Sequence, residues 1–167
     1  MGMTNTGFQR KRSSKVALVA MGMSVSAFAL TGCEEKVEAF QFASAESCIV
    51  SGEFTEAECQ ERFEVAKVEH ERAAPRYQSR ADCEVEHGVE ACAPREASAG
   101  SGGGLWMPLM IGWMMGRSLG GPVATQPLYR SPQAGMARTA GGVNVDAKAG
   151  PVSVAKTAAA RPAAGKV

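Results

Sequence analysis

The chain has 167 residues, and its 18 Lys and Arg against 17 Asp and Glu give a formal net charge of +1. The first 32 residues contribute four basic residues and no acid, so without them +1 becomes −3. That balance excludes a generally basic nucleic-acid binder, and residues 33–167 leave room for one small domain.

The N-terminal stretch has the layout of an export signal. Arg10-Lys11-Arg12 and Lys15 precede an apolar run from Val16 to Ala29, which ends in Leu30-Thr31-Gly32-Cys33. The run is too short for the roughly 20 helical residues that span a bilayer. A Cys directly after Leu-Thr-Gly resembles the bacterial lipobox, in which the Cys is acylated and becomes the new N-terminus. Residues 1–32 are thus expected to be a cleaved lipoprotein signal, and Cys33 the lipidation site. Met1-Gly2-Met3-Thr4-Asn5-Thr6 also fits the myristoylation pattern, but that short pattern competes with a complete export signal.

Beyond the anchor, charge divides the chain. Residues 34–96 hold sixteen acids and seven bases, and residues 97–167 hold one acid and seven bases. The acidic half carries Cys48, Cys59, Cys83 and Cys92. In an exported chain four Cys read as two disulfides. The gaps are too wide for closely paired zinc ligands, and there is no C-x-x-C for thioredoxin-like redox chemistry.

Residues 33–43 read as a tether. An internal repeat follows, in which Phe42-x-Ser44 with Cys48, Val50 and Gly52 aligns with Tyr77-x-Ser79 with Cys83, Val85 and Gly88. Each copy then reaches a second Cys, Cys59 or Cys92. Ser44 and Ser79 suit helix N-caps, and Gly52 and Gly88 suit helix stops. Each unit is therefore a short helix stapled to the segment after it. This favours the pairs Cys48–Cys59 and Cys83–Cys92, with cross-pairing such as Cys59–Cys83 still open.

Between the copies lies the strongest helix signal. Thr55-Glu56-Ala57-Glu58 is a capping box, and Pro75 marks the end. Cys59, Phe63, Ala66, His70 and Ala73 form one apolar stripe. Glu58 and Arg62 are a favourable i,i+4 pair. So narrow a stripe cannot build a large core, and the disulfides supply staples for a helical domain over 44–95.

Residues 96–104 read as a Gly/Ser linker. It leads into an apolar segment over 105–121 that contains Trp106, Met107, Pro108, Met110, Trp113, Met114, Met115 and Arg117. The segment is too short to span a membrane, and so apolar a run usually marks a contact site. Its expected role is contact with a partner or the bilayer. Back-folding onto the acidic half is the alternative. Residues 122–167, rich in Ala, Gly and Pro with Tyr129 as the one aromatic, read as a disordered tail. The expected fold class is therefore mainly α. It consists of a short, a long and a short helix stapled by disulfides, with a largely disordered C-terminal half.

Several of these features together resemble a known family. The lipobox, the Cys-containing repeats, Ala74-Pro75-x-Tyr77, Asp82-Cys83, Trp106-Met-Pro-Leu-Met110 with Gly112 and Met114-Met-Gly-Arg117, and Gln126-Pro-Leu128 are similar to the YgiB-like family of bacterial lipoproteins. The resemblance covers most of 30–129. It implies an envelope lipoprotein with no assigned activity.

His70 on the helix stripe and His87 before Gly88 lack a ligand spacing and read as structural or surface residues. There is no nucleophile elbow, zinc-protease motif, P-loop or dinucleotide fingerprint. The acids of 53–71 read as a solvated helix face. These observations point to a non-enzymatic, membrane-anchored envelope lipoprotein. It faces the periplasm, with the outer membrane favoured by Glu34 after the Cys, and needs no cofactor. Its expected partners are the membrane, through the lipid, and an unidentified envelope protein. The alternative is a soft-metal protein that binds copper through the thioethers of Met107, Met110, Met114 and Met115.

Overall fold

The structure is a computed structural model that describes residues 34–95, 104–117, 121 and 123–165. The expected signal peptide, Cys33 and all of the expected linker but Gly104 lie outside the described residues. The described residues belong to one compact unit.

The three expected helices form for the local reasons anticipated. Helix α1 (Ala45–Ser51) is capped by Ser44 and stops at Gly52, whose positive φ suits glycine. Helix α2 (Glu56–Ala73) starts with the Thr55–Glu58 capping box. Helix α3 (Arg80–His87) is capped by Ser79 and ends at Gly88. Both disulfides join within a repeat copy, Cys48 to Cys59 and Cys83 to Cys92.

The rest of the chain is β structure, and this corrects the mainly α expectation. In chain order the strands are β1 (Lys36–Phe42), β2 (Cys92–Arg95), β3 (Leu105–Pro108), β4 (Met110–Met115) and β5 (Gln126–Arg130). They continue with β6 (Met136–Thr139), β7 (Asn144–Asp146) and β8 (Gly150–Ala155), before a last turn of helix, α4 (Lys156–Ala159). Six of them form an antiparallel, nearly closed sheet in the order β7-β6-β5-β4-β1-β8. The hairpin β2–β3 stands apart, with Cys92 opposite Pro108.

The supposed tether is the strand β1, second from one edge of the sheet. It pairs with β8 from Lys36↔Ala155 to Gln41↔Gly150, and with β4 from Phe40↔Met115 to Phe42↔Trp113. The expected disordered tail supplies four strands. Gly135 and Gly142 have positive φ in the β5–β6 and β6–β7 hairpin turns, and Gly150, also at positive φ, opens β8 after the crossover from β7, so these glycines mark turns rather than disorder. Between them, small residues alternate in and out. Ala137 and Val145 are buried on β6 and β7, and Val154 on β8. The narrow interior of a curled sheet is filled by Ala and Val where a flat sheet would need larger side chains.

The two faces of the sheet make two cores. On one face Phe40, Phe42, Trp113 and Met115 pack against Cys48, Cys59, Ala66 and Phe63 of the helical layer. Inside the curl, Ala39, Met114, Leu128, Ala137, Val145 and Val154 meet Ala158 and Ala159 of α4. The Gln126 amide donates to the Ala158 carbonyl at 2.7 Å and fixes α4 to β5.

The buried face of α2 also differs from the predicted stripe. Cys59, Ala66 and Ala73 are buried as expected, but Arg62 and Glu69 are buried too, whereas Phe63 and His70 are half-buried. The cause is the C-terminal half, which covers the side of α2 left for solvent. Arg62 donates to the Thr125 hydroxyl at 3.1 Å. The Glu69 carboxylate accepts from Arg72 at 2.9 Å and from Arg161 at 3.1 Å.

Trp113 is fully buried between sheet and helix, with the Phe42 ring at 5.6 Å and the Phe63 ring at 6.2 Å. Trp113→Ala is expected to cost about 3–5 kcal/mol in urea unfolding. The control Val68→Ala, at an exposed position on α2, should stay within about 0.5 kcal/mol. Equal losses for the two would contradict this packing.

Candidate functional site

Over its described residues 105–117 the Trp/Met segment is not a free contact surface, which corrects the expectation for that stretch. It forms β3 and β4, and Trp113, Met114 and Met115 are completely buried. Pro108 is fully buried and Met107 nearly so, while Trp106 and Met110 are half-buried. Trp106 bridges to Tyr77, each backbone N–H donating to the other's carbonyl at 2.9 Å. Only Arg117 of the group is exposed, lying over the Phe40 ring at 4.8 Å and 3.4 Å from Glu53. A run apolar on both faces is the mark of an interior strand, and that signal was legible in the sequence.

The four thioethers do not converge either. Met114 belongs to the core inside the curl and Met115 to the helix-facing core, since neighbouring strand residues point to opposite faces. Met107 and Met110 belong to a third cluster with Ala74 and Tyr129. A shared soft-metal site needs them on one side.

What the fold does bring together is a set of His and Tyr side chains distant in sequence. Tyr129, fully buried on β5, lies between the two histidines, with each ring centroid 5.7 Å from its own. His70 Nδ1 and the Tyr129 hydroxyl are hydrogen-bonded at 3.1 Å. His87 Nδ1 is 3.1 Å from the Arg130 carbonyl, so it must donate there. That leaves Nε2 as the acceptor for the Tyr77 hydroxyl at 2.9 Å.

Burial governs the protonation of all four. It pushes His70 down, and the nearby charge of Glu71 only partly opposes this. It pushes His87 down too, against the Arg130 carbonyl, which favours the proton. The Tyr77 and Tyr129 hydroxyls are pushed up by the same desolvation. The cluster is therefore neutral at pH 7, with His87 saturated at both nitrogens.

Tyr77 and His87 form part of the wall of a cleft of about 420 Å³. Its other walls are Ala73 at the end of α2 and Pro75 after it, Arg138 and the β6–β7 turn, and the last described residues, Ala163, Ala164 and Gly165. The Arg138 guanidinium is paired with the Glu86 carboxylate and also donates to the Gly142 carbonyl at 3.2 Å. The cleft offers hydrogen-bonding groups already engaged with one another, an arrangement that fixes geometry more readily than it moves protons. Among the described residues no group of His, Cys, Asp and Glu is placed to hold a metal.

Both histidines lie where the sequence reading put them, on the α2 stripe and at the end of α3. Their meeting through Tyr129 was missed, as were Arg138 and Glu86. The one available hint was Tyr129 itself, the lone aromatic of the tail.

Comparison with known proteins gives a family and no activity. The sequence profile described as "Protein of unknown function (DUF1190)" matches residues 36–166. A UPF0441 protein of Serratia proteamaculans (strain 568) is 40% identical over 146 residues, which cover 81% of this chain and 65% of that protein. A UPF0441 protein of Klebsiella pneumoniae (strain 342) is 38% identical over 135 residues, 73% of this chain and 60% of the relative. One from Sodalis glossinidius (strain morsitans) is 35% identical over 127 residues, 72% and 59%. The chain thus spans about three fifths of the length of these curated relatives. No solved structure matches.

The protonation states predict acid lability. An unfolded His titrates near pH 6.5, and both histidines here are depressed in the folded state. The stability they hold is complete above that value and is lost as pH falls through the folded one. The urea midpoint should fall between pH 7 and pH 5. His87→Gln should lower stability at pH 7 by about 2 kcal/mol and flatten the decline. An unchanged decline in the variant would show that His87 does not cause it.

Proposed function

Since the chain belongs to the DUF1190 family of proteins of unknown function, its relatives lend it no activity, and we propose that it is an exported, lipid-anchored binding module of the bacterial envelope. In this reading Cys33 carries the acyl chains, the unit from Glu34 onward faces the periplasm, and the outer membrane is its place. The likeness to YgiB-like lipoproteins belongs to the same proposal.

The observation that carries it is the pair of disulfides, each closing a short loop within one compact unit. Such bonds persist in oxidising compartments. The start of the fold agrees with an anchor at Cys33. Glu34 accepts from the Thr157 hydroxyl at 2.8 Å, and the Glu35 carboxylate pairs with Lys156 at 2.8 Å. With β1 beginning at Lys36, the three residues from the anchor reach roughly 10 Å. The sheet would therefore stand close to the bilayer, without the longer tether first expected. A binding role without catalysis is supported by the neutral, mutually satisfied His/Tyr cluster, whose groups hold one another.

Cys33→Ser tests this reading. The wild-type chain should label with palmitate and sediment with membranes, with no free thiols at Cys48, Cys59, Cys83 and Cys92. The variant should remain as unlabelled precursor. Labelling and processing of the variant as in wild type would overturn the anchor. Four free thiols in the wild type would overturn export.

A further inference from the structure

The last described stretch, residues 160–165, crosses the C-terminal part of α2 as a strap that belongs to no strand or helix. It starts extended, with Ala160 at φ −68° and ψ 151°, close to polyproline geometry. Arg161 donates to Oε1 of the Glu69 carboxylate at 3.1 Å, and the Pro162 carbonyl accepts from the Arg72 side chain at 2.6 Å. The Gly165 N–H then donates to the Arg72 carbonyl at 3.0 Å. That carbonyl is one of the last four of the helix, which find no partner inside it. A Cβ at Gly165 would overlap the Ala74 carbonyl oxygen, so only glycine fits there.

The seat is specific, while the strap is lightly held. Glu69 is 4% exposed, and a carboxylate taken out of water needs hydrogen-bonded cations against it. Arg72 serves its Oε2, so the segment that crosses α2 must bring the cation for Oε1. The strap itself buries only Pro162, with Arg161, Ala163 and Ala164 exposed. A segment with so little apolar burial and so few backbone bonds opens readily. An acidic pocket for one side chain, backbone hydrogen bonds and a proline in extended chain are the usual means of peptide recognition. The strap therefore sits on α2 as a peptide ligand would.

We propose that this face of α2 is a peptide seat, filled in cis by residues 160–165 and open in trans to an extended segment of a partner protein that carries Arg, then Pro, then small residues with Gly four after the Arg. The buried Glu69 carboxylate selects the Arg, and the Ala74 carbonyl selects the Gly. The tethered strap has a local concentration in roughly the millimolar range, so it competes with the partner and sets the threshold for exchange. Its Ala163, Ala164 and Gly165 also wall the His/Tyr cleft, so exchange would reshape that cleft. The inference goes beyond the binding role proposed above and stands whether or not Cys33 is lipidated.

The test titrates an acetylated, amidated peptide of the sequence of 160–165 into the oxidised full chain and into Arg161→Ala, followed by amide chemical shifts. In this variant Arg72 still pairs with Glu69, so only Oε1 is vacated. The peptide should saturate Arg161→Ala below about 5 mM and move the signals of Glu69, Arg72 and Ala74. The wild type should bind it about tenfold or more weakly, because its own strap competes. The same peptide with Ala in place of its Arg should lose about tenfold or more on the variant, the usual effect of removing a charged partner. Gly165→Val keeps Arg161 but cannot close on Ala74, and it too should bind the peptide more tightly than wild type does. No saturation of either variant, equal binding by wild type and both variants, or indifference to the peptide's Arg would overturn the proposal. A wild-type dimer that Arg161→Ala turns into a monomer would give the seat to the strap of a second copy and overturn the partner reading.

Discussion

Everything in this fold depends on one strand having both of its edges filled. Strand β1 lies between β8, from the far end of the chain, and β4, from the middle, so the first described segment is held by the last. Its side chains serve both cores, Ala39 inside the curl and Phe40 and Phe42 beneath the helices. Without β8 that strand would present a row of unpaired backbone groups, and the helical layer would lose the surface on which it packs. The disulfides act on a smaller scale. Each closes a local loop, with a sequence separation of 11 or 9, and contributes roughly 2–3 kcal/mol by restricting the unfolded chain. They fasten the helices, while the sheet makes the domain.

This division explains what the sequence disclosed. Helix boundaries are local chemistry, and Ser44, Thr55 and Ser79 with Gly52 and Gly88 mark them whatever the tertiary context. Cysteine pairing followed, because each partner lies just beyond its own helix. The strands offered no comparable signal. Lys36–Phe42 begins with charged residues and is then buried on both faces, so it shows neither clean polar alternation nor a plain apolar run. Strands β6 to β8 use Ala, Thr and Val between glycine turns, a composition that averages out as low in hydrophobicity. Their burial follows from the curl of the sheet, a property of the whole chain.

The candidate sites were legible in the same uneven way. His70 was visible on an apolar helix face, and His87 beside a helix stop. Tyr129 joins them only because β5 passes beneath α2, and burial there keeps all of them uncharged. The Trp/Met segment shows the reverse case, a strong signal with a different meaning. Its side chains are apolar because β4 is covered on both faces.

The central claim is that the Ala- and Gly-rich C-terminal half is a structural part of the domain, joined to its first strand. Native-state hydrogen exchange of the oxidised protein measures this directly. The paired amides of β5, β6 and β8 should exchange only through global opening, with the same free energy as those of β1. Exchange of β5–β8 at the rate of a free chain, with α1, α2 and α3 still protected, would contradict the account.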